Sequence, residues 1–142
     1  MNETINKFGY PKTLLKEYKH WVVLLRPKQA TLGAMILAHK GNEERLSEVS
    51  KEAFIEYGEI IKDIEKILKE TFDYDIMNYL MLMMKDKQIH YHVIPRYSKV
   101  VDFEGIKCND EGWPKAPNMK YDLGFSEEQF NKLKNILKNK FQ

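Results

Sequence analysis

Four short apolar runs come in two pairs, and each pair is joined by a connection too short to cross over a sheet. WVVLLR (21–26) and GAMILA (33–38) are about six residues apart, and DIMNYLMLMM (75–84) leads into QIHYHVIPRY (88–97) through Lys85-Asp86-Lys87. Parallel neighbours need a crossover of roughly a dozen residues or more, so both pairs are expected to run antiparallel. DIMNYLMLMM is apolar at both alternating positions and is expected as a central strand, with Met77, Met81, Met83 and Met84 as core filler.

Between the pairs lies the clearest helix. Ser50 is suited to its N-cap, and Ala53, Phe54, Tyr57, Ile60, Ile61, Ile64, Ile67 and Leu68 recur at helical spacing over about five turns. Residues 102–124, with three glycines and two prolines, read as irregular. A capping-box sequence, Ser126-Glu127-Glu128-Gln129, then opens a terminal helix carrying Phe130, Leu133, Ile136 and Leu137. Strand, strand, helix, strand, strand, helix predicts an α+β domain on an antiparallel sheet.

The chain of 142 residues suits one domain, residues 1–142. Its 23 basic and 21 acidic residues leave a net charge of +2, which argues against a nucleic-acid polymer as partner while leaving room for a small anionic ligand. The single cysteine, Cys108, forms no internal disulfide. No apolar leader and no membrane-length apolar stretch is visible, so a cytoplasmic location with no membrane partner is expected.

Within QIHYHVIPRY, extended backbone turns Gln88, His90 and His92 to one side and Ile89, Tyr91 and Val93 to the other. The apolar side suits packing on the helix, and the polar side is expected to face a cleft. Three readings compete. The spacing arises by coincidence in a modest fraction of chains. A metal bound by two strand imidazoles needs a third and usually a fourth ligand, and none of His20, His39, Asp75 or Asp86 lies at a spacing that demands it. The third reading sets both rings on a phosphate: one imidazole attacks phosphorus while its neighbour stabilises the phosphoryl oxygens, with no cofactor.

QIHYHVI followed by Pro95-Arg96 resembles the histidine-triad signature, in which three histidines alternate with apolar residues before two further apolar positions. WVVLLRP, TLG, the long helix and the apolar strand holding Asn78 fall in that family's order, so the likeness covers residues 20–97, and the ends look like a bacterial subgroup related to diadenosine-tetraphosphate hydrolases. The resemblance implies a sheet of about five strands with one long and one C-terminal helix. It also implies a homodimer whose sheets join and a nucleotide hydrolase that passes through a covalent nucleotidyl-histidine. On this reading His90 is the nucleophile, His92 holds the α-phosphate oxygens and Gln88 is the supporting member.

Arg26, near the ribose position, Asn78 and Arg96 are the expected substrate contacts, each weighed against a structural role. Trp113 is expected to anchor its irregular loop, against covering a nucleotide base or a dimer seam, and His39 is expected at the surface. The departures from the family pattern are Gln88 for the first histidine, Ala34 for a histidine after the glycine, and Met84-Lys85-Asp86-Lys87 for a glycine-rich loop. The alternatives are a nucleotidyltransferase or phosphorylase, or a non-catalytic nucleotide-binding protein.

Overall fold

The computed structural model describes residues 1–142. In chain order the elements are α1 (Glu3–Lys7), β1 (Leu14–Glu17), β2 (Trp21–Leu25), β3 (Met35–His39), a 3-10 turn (Leu46–Glu48), α2 (Lys51–Phe72), β4 (Ile76–Leu80), β5 (His90–Arg96), β6 (Val101–Phe103), β7 (Ile106–Cys108) and α3 (Glu127–Lys140). Five strands form one antiparallel sheet in the order β1-β2-β3-β5-β4, and β6 and β7 form a separate hairpin. The α+β sheet with a long helix and a C-terminal helix is therefore present as expected.

Strands β2 and β3 read as unbroken apolar runs because both of their faces are covered, and every residue in them is buried. On one face Trp21, Val23, Leu25, Met35, Leu37 and Val93 meet α2 and α3 in the main core. On the other, Val22, Leu24, Ile36 and Ala38 pack beneath Ile5 of α1. Helix α2 starts where the Ser50 hydroxyl accepts from the Ala53 amide at 3.1 Å. Its 22 residues make about six turns, one more than the spacing predicts. Ile60, Ile64 and Leu68 form the fully buried stripe at four-residue intervals, and the indole of Trp21 donates to the Ala53 carbonyl at 2.7 Å, tying the helix to the sheet. The Ser126–Gln129 capping box forms, and Leu133 and Leu137 of α3 are buried.

Four expectations need correction. DIMNYLMLMM supplies an edge strand and not a central one: β4 is only Ile76–Leu80 and pairs with β5 alone. The chain leaves the sheet after Leu80; Met77, Met81 and Met83 pack partly against the core, whereas Met84 is 83% exposed. Residues 102–124 are not wholly irregular, because the β6–β7 hairpin turns at Glu104-Gly105, where both residues take positive φ as a two-residue turn requires. His39 is buried, its ring 5.1 Å from that of Trp21, and burial holds its pKa below the ordinary histidine value. Helix α1 and strand β1, neither of them foreseen, close the far edge and the second face of the sheet.

Candidate active site

His90 and His92 stand on the interior strand β5, opposite Ala38 and Ile36 of β3. Strand alternation places both on the face that α1 covers, and their ring centroids lie 5.3 Å apart, edge to face. The polar side is not an open cleft wall as expected: His90 is 2% exposed and His92 8%. Phe8, the residue that ends α1, lies over both rings, with centroids at 5.6 and 5.8 Å. Both histidines line a cavity of about 220 Å³ completed by Leu82, Met83, Met84, Lys85 and Asp86. A second hollow of about 350 Å³, wholly polar, continues past Lys85 and Asp86 to Lys87, Lys7, Thr4 and Gln88. A hollow of about 710 Å³ on the outer side of α3 is lined by no histidine and is a shallow groove among solvated side chains.

The two imidazoles are held in different ways. Nδ1 of His90 lies 2.8 Å from the Gln88 carbonyl oxygen. A carbonyl only accepts, so Nδ1 carries the proton and a neutral His90 keeps its lone pair on Nε2. Nδ1 of His92 accepts from Nε of Arg26 at 3.2 Å. Burial first, then the Arg26 charge and His90, push the His92 pKa down to about 4, against a smaller pull from Asp86. His92 is therefore neutral at pH 7. Neither Nε2 has a protein partner, yet neither is sealed off, since the one sealed side-chain polar atom without a partner is Thr31 Oγ1.

Gln88 enters the site through its backbone. Its side-chain Oε1 accepts from the amide and hydroxyl of Thr4, at 3.1 and 2.7 Å, and so docks α1. Lys7 adds an ion pair to Asp86 at 2.7 Å on the same side. Arg26 is buried, giving Nη1 to the Lys28 carbonyl at 2.7 Å and Nη2 to the Met119 carbonyl at 3.4 Å.

Asn78 and Arg96 are brought to each other and not to the histidine pair. Arg96 donates to Asn78 Oδ1 at 2.8 Å, to both carboxylate oxygens of Asp110 at 2.8 and 3.1 Å, and to the Lys115 carbonyl at 2.8 Å. This buried fork joins the sheet to the 110–117 loop, where Trp113 stacks 6.0 Å from the guanidinium. Trp113 thus takes the loop-anchoring role. No group of three or more histidine, cysteine or acidic side chains is placed to hold a metal ion.

Phe8, Thr4 and Asp110 were missed from sequence. The one local signal for the first two was Asn2, a helix N-cap whose side chain accepts from the Ile5 amide at 2.9 Å; nothing local marks Asp110.

A scan against models of protein families finds no match, and neither does a search of the curated proteins. Solved structures do match. A histidine triad protein from Bradyrhizobium japonicum aligns over 100% of this chain and 97% of its own, with a TM-score of 0.76 at 14% identity. One from Sinorhizobium meliloti covers 98% of this chain and 94% of its own, with a TM-score of 0.75 at 15% identity. One from Marinobacter aquaeolei covers 89% and 86%, with a TM-score of 0.72 at 23% identity. Across nearly its whole length, this chain has the fold of the histidine triad proteins.

Proposed function

We propose that this chain is a nucleotide hydrolase that cleaves a phosphoanhydride or phosphoramidate bond at the α-phosphorus of a nucleoside through a covalent intermediate on His90. The observation that carries the reading is the wiring of His90: a backbone carbonyl accepts the hydrogen bond from Nδ1–H, leaving Nε2 with a lone pair on a ring that lines the cavity of about 220 Å³. In the first step Nε2 forms a bond to phosphorus while the bond to the leaving group breaks, and the leaving group departs with that electron pair. In the second, water attacks the same phosphorus and loses a proton to solvent as the P–O bond forms, the P–N bond breaks and its electrons return to Nε2. His92, 5.3 Å away ring to ring, donates to the phosphoryl oxygens as negative charge builds on them. Lys85 lies at the cavity lip, where it meets a phosphate chain. On this reading Gln88 supports the nucleophile through its main chain and Arg26 acts behind His92, while Asn78 and Arg96 brace the 110–117 loop.

The supporting resemblance is to hydrolases of dinucleoside polyphosphates, so the test uses a dinucleoside tetraphosphate and an adenosine phosphoramidate. His90→Ala is expected to lower turnover of either by several orders of magnitude, and His92→Ala by on the order of 10²-fold, with circular dichroism unchanged. Parental rates in His90→Ala on both substrates would reject the nucleophile.

A further inference from the structure

Arg26 is 8% exposed, its three hydrogen bonds all run to neutral acceptors, and the Asp122 carboxylate acts on its charge only from beyond ion-pair distance. A buried cation with no directly bonded counter-ion is costly, and its retention asks for a reason. Two of the three bonds have a structural one, since Nη1 and Nη2 hold the Lys28 and Met119 carbonyls and so tie two loops together. The third does not: Nε points at an imidazole nitrogen on β5 that a neutral side chain could also satisfy.

We propose, resting on the reading of the site as a phosphoryl-transfer centre, that Arg26 is its positioning residue: by donating Nε–H to Nδ1 of His92 it fixes that ring as the Nε2–H tautomer. Arginine has no acceptor, so the direction of this bond is fixed. With its Nδ1 lone pair engaged, a neutral His92 carries its one proton on Nε2, the nitrogen left free for the cavity. His90 is wired in the opposite sense, through a carbonyl that can only accept. Two identical side chains, two residues apart on one strand, thereby become one lone-pair donor and one hydrogen-bond donor. The arginine also places a permanent positive charge behind His92, which Gln88, as an amide, cannot supply. The inference assigns Arg26 to the ring and not to the ribose.

Long-range proton–nitrogen correlation spectra of the uniformly ¹⁵N-labelled full chain at pH 7 test this without any substrate. Expected are a protonated Nε2 and bare Nδ1 on His92, with the reverse on His90. In Arg26→Lys, which keeps the charge but loses the Nε donor, His92 is expected to become a mixture of tautomers. The inference is overturned if both wild-type rings share one tautomer, or if His92 keeps its pattern in Arg26→Lys. Should that variant not fold, the wild-type spectrum alone still decides. If the protein turns over nucleotides, Arg26→Lys should lower kcat by on the order of 10²-fold while moving KM less, the mark of a misplaced donor. Opposed tautomers with no turnover would uphold the positioning and refute the hydrolase, so the two failures are distinct.

Discussion

His90 and His92 share a face because side chains alternate along a strand, and that much can be read from QIHYHVIPRY. What separates their chemistry cannot be read there. One Nδ1 is held by a main-chain oxygen two residues away, and the other by an arginine on the far side of β3, 66 positions earlier in the chain. Neither bond has a local signature, and neither does the Arg96 fork to Asp110 and Asn78, which occupies Asn78 and Arg96, the two residues expected near substrate. The His92 environment carries a consequence for stability. Its pKa falls from the ordinary 6.5 to about 4 on folding. Between those values the unfolded chain binds a proton that the folded chain does not, so this contribution is complete above pH 6.5 and is lost as pH falls towards 4. His39, also lowered by burial, acts in the same direction. His92→Asn keeps an acceptor for Arg26 but cannot titrate. It is expected to lose less melting temperature than the wild type between pH 7 and 4.5, whereas equal losses would remove His92 from the acid response.

At the scale of elements, legibility followed burial. Strands β2 and β3, covered on both faces, announce themselves as apolar runs, and α2 announces itself through its cap and its four-residue stripe. DIMNYLMLMM misleads because a run of apolar side chains does not reveal which neighbour a strand lacks; β4 is flanked on one side only. Helix α1 is five residues long, too short for periodicity to show, and yet it brings Phe8 and Thr4 to the site. Gly33 has a clear element-scale duty. It takes a φ of +88° where the chain enters β3, and a Cβ there would sit 2.9 Å from a methyl of Leu68 on α2. Gly33→Ala is therefore expected to destabilise the fold by about 1–3 kcal/mol, through backbone strain and overpacking. A lower urea midpoint at unchanged slope would show it; an unmoved midpoint would mean that α2 gives way freely.

For the whole molecule, the pairing of apolar runs, the two capped helices and the histidine strand were enough to expect the α+β sheet that the solved histidine triad structures share. The order of strands within the sheet and the cover on its second face come from long-range packing, which no short window contains. The sheet ends on one side at β4, whose outer edge has no partner strand and whose Ile76 side chain is 53% exposed. An open, apolar strand edge is a template for pairing with another chain. If the homodimer expected from the family resemblance forms there, two β4 edges would join into one continuous sheet. Sedimentation at micromolar concentration is expected to give about twice the 16.9 kDa of the chain, and a proline in place of Tyr79, whose N–H turns to the open edge, to weaken the association; a monomer at that concentration would reject this assembly.

The claim on which the functional account stands is that Nε2 of His90 forms a bond to phosphorus. Rapid-quench mass spectrometry of the intact protein, mixed for milliseconds with a dinucleoside tetraphosphate and then digested, tests it most directly. The account predicts a mass increment of one nucleoside monophosphate on the peptide containing His90, rising before free product and missing in His90→Ala. Product released with no adduct at any time, or an adduct on another residue, would contradict it.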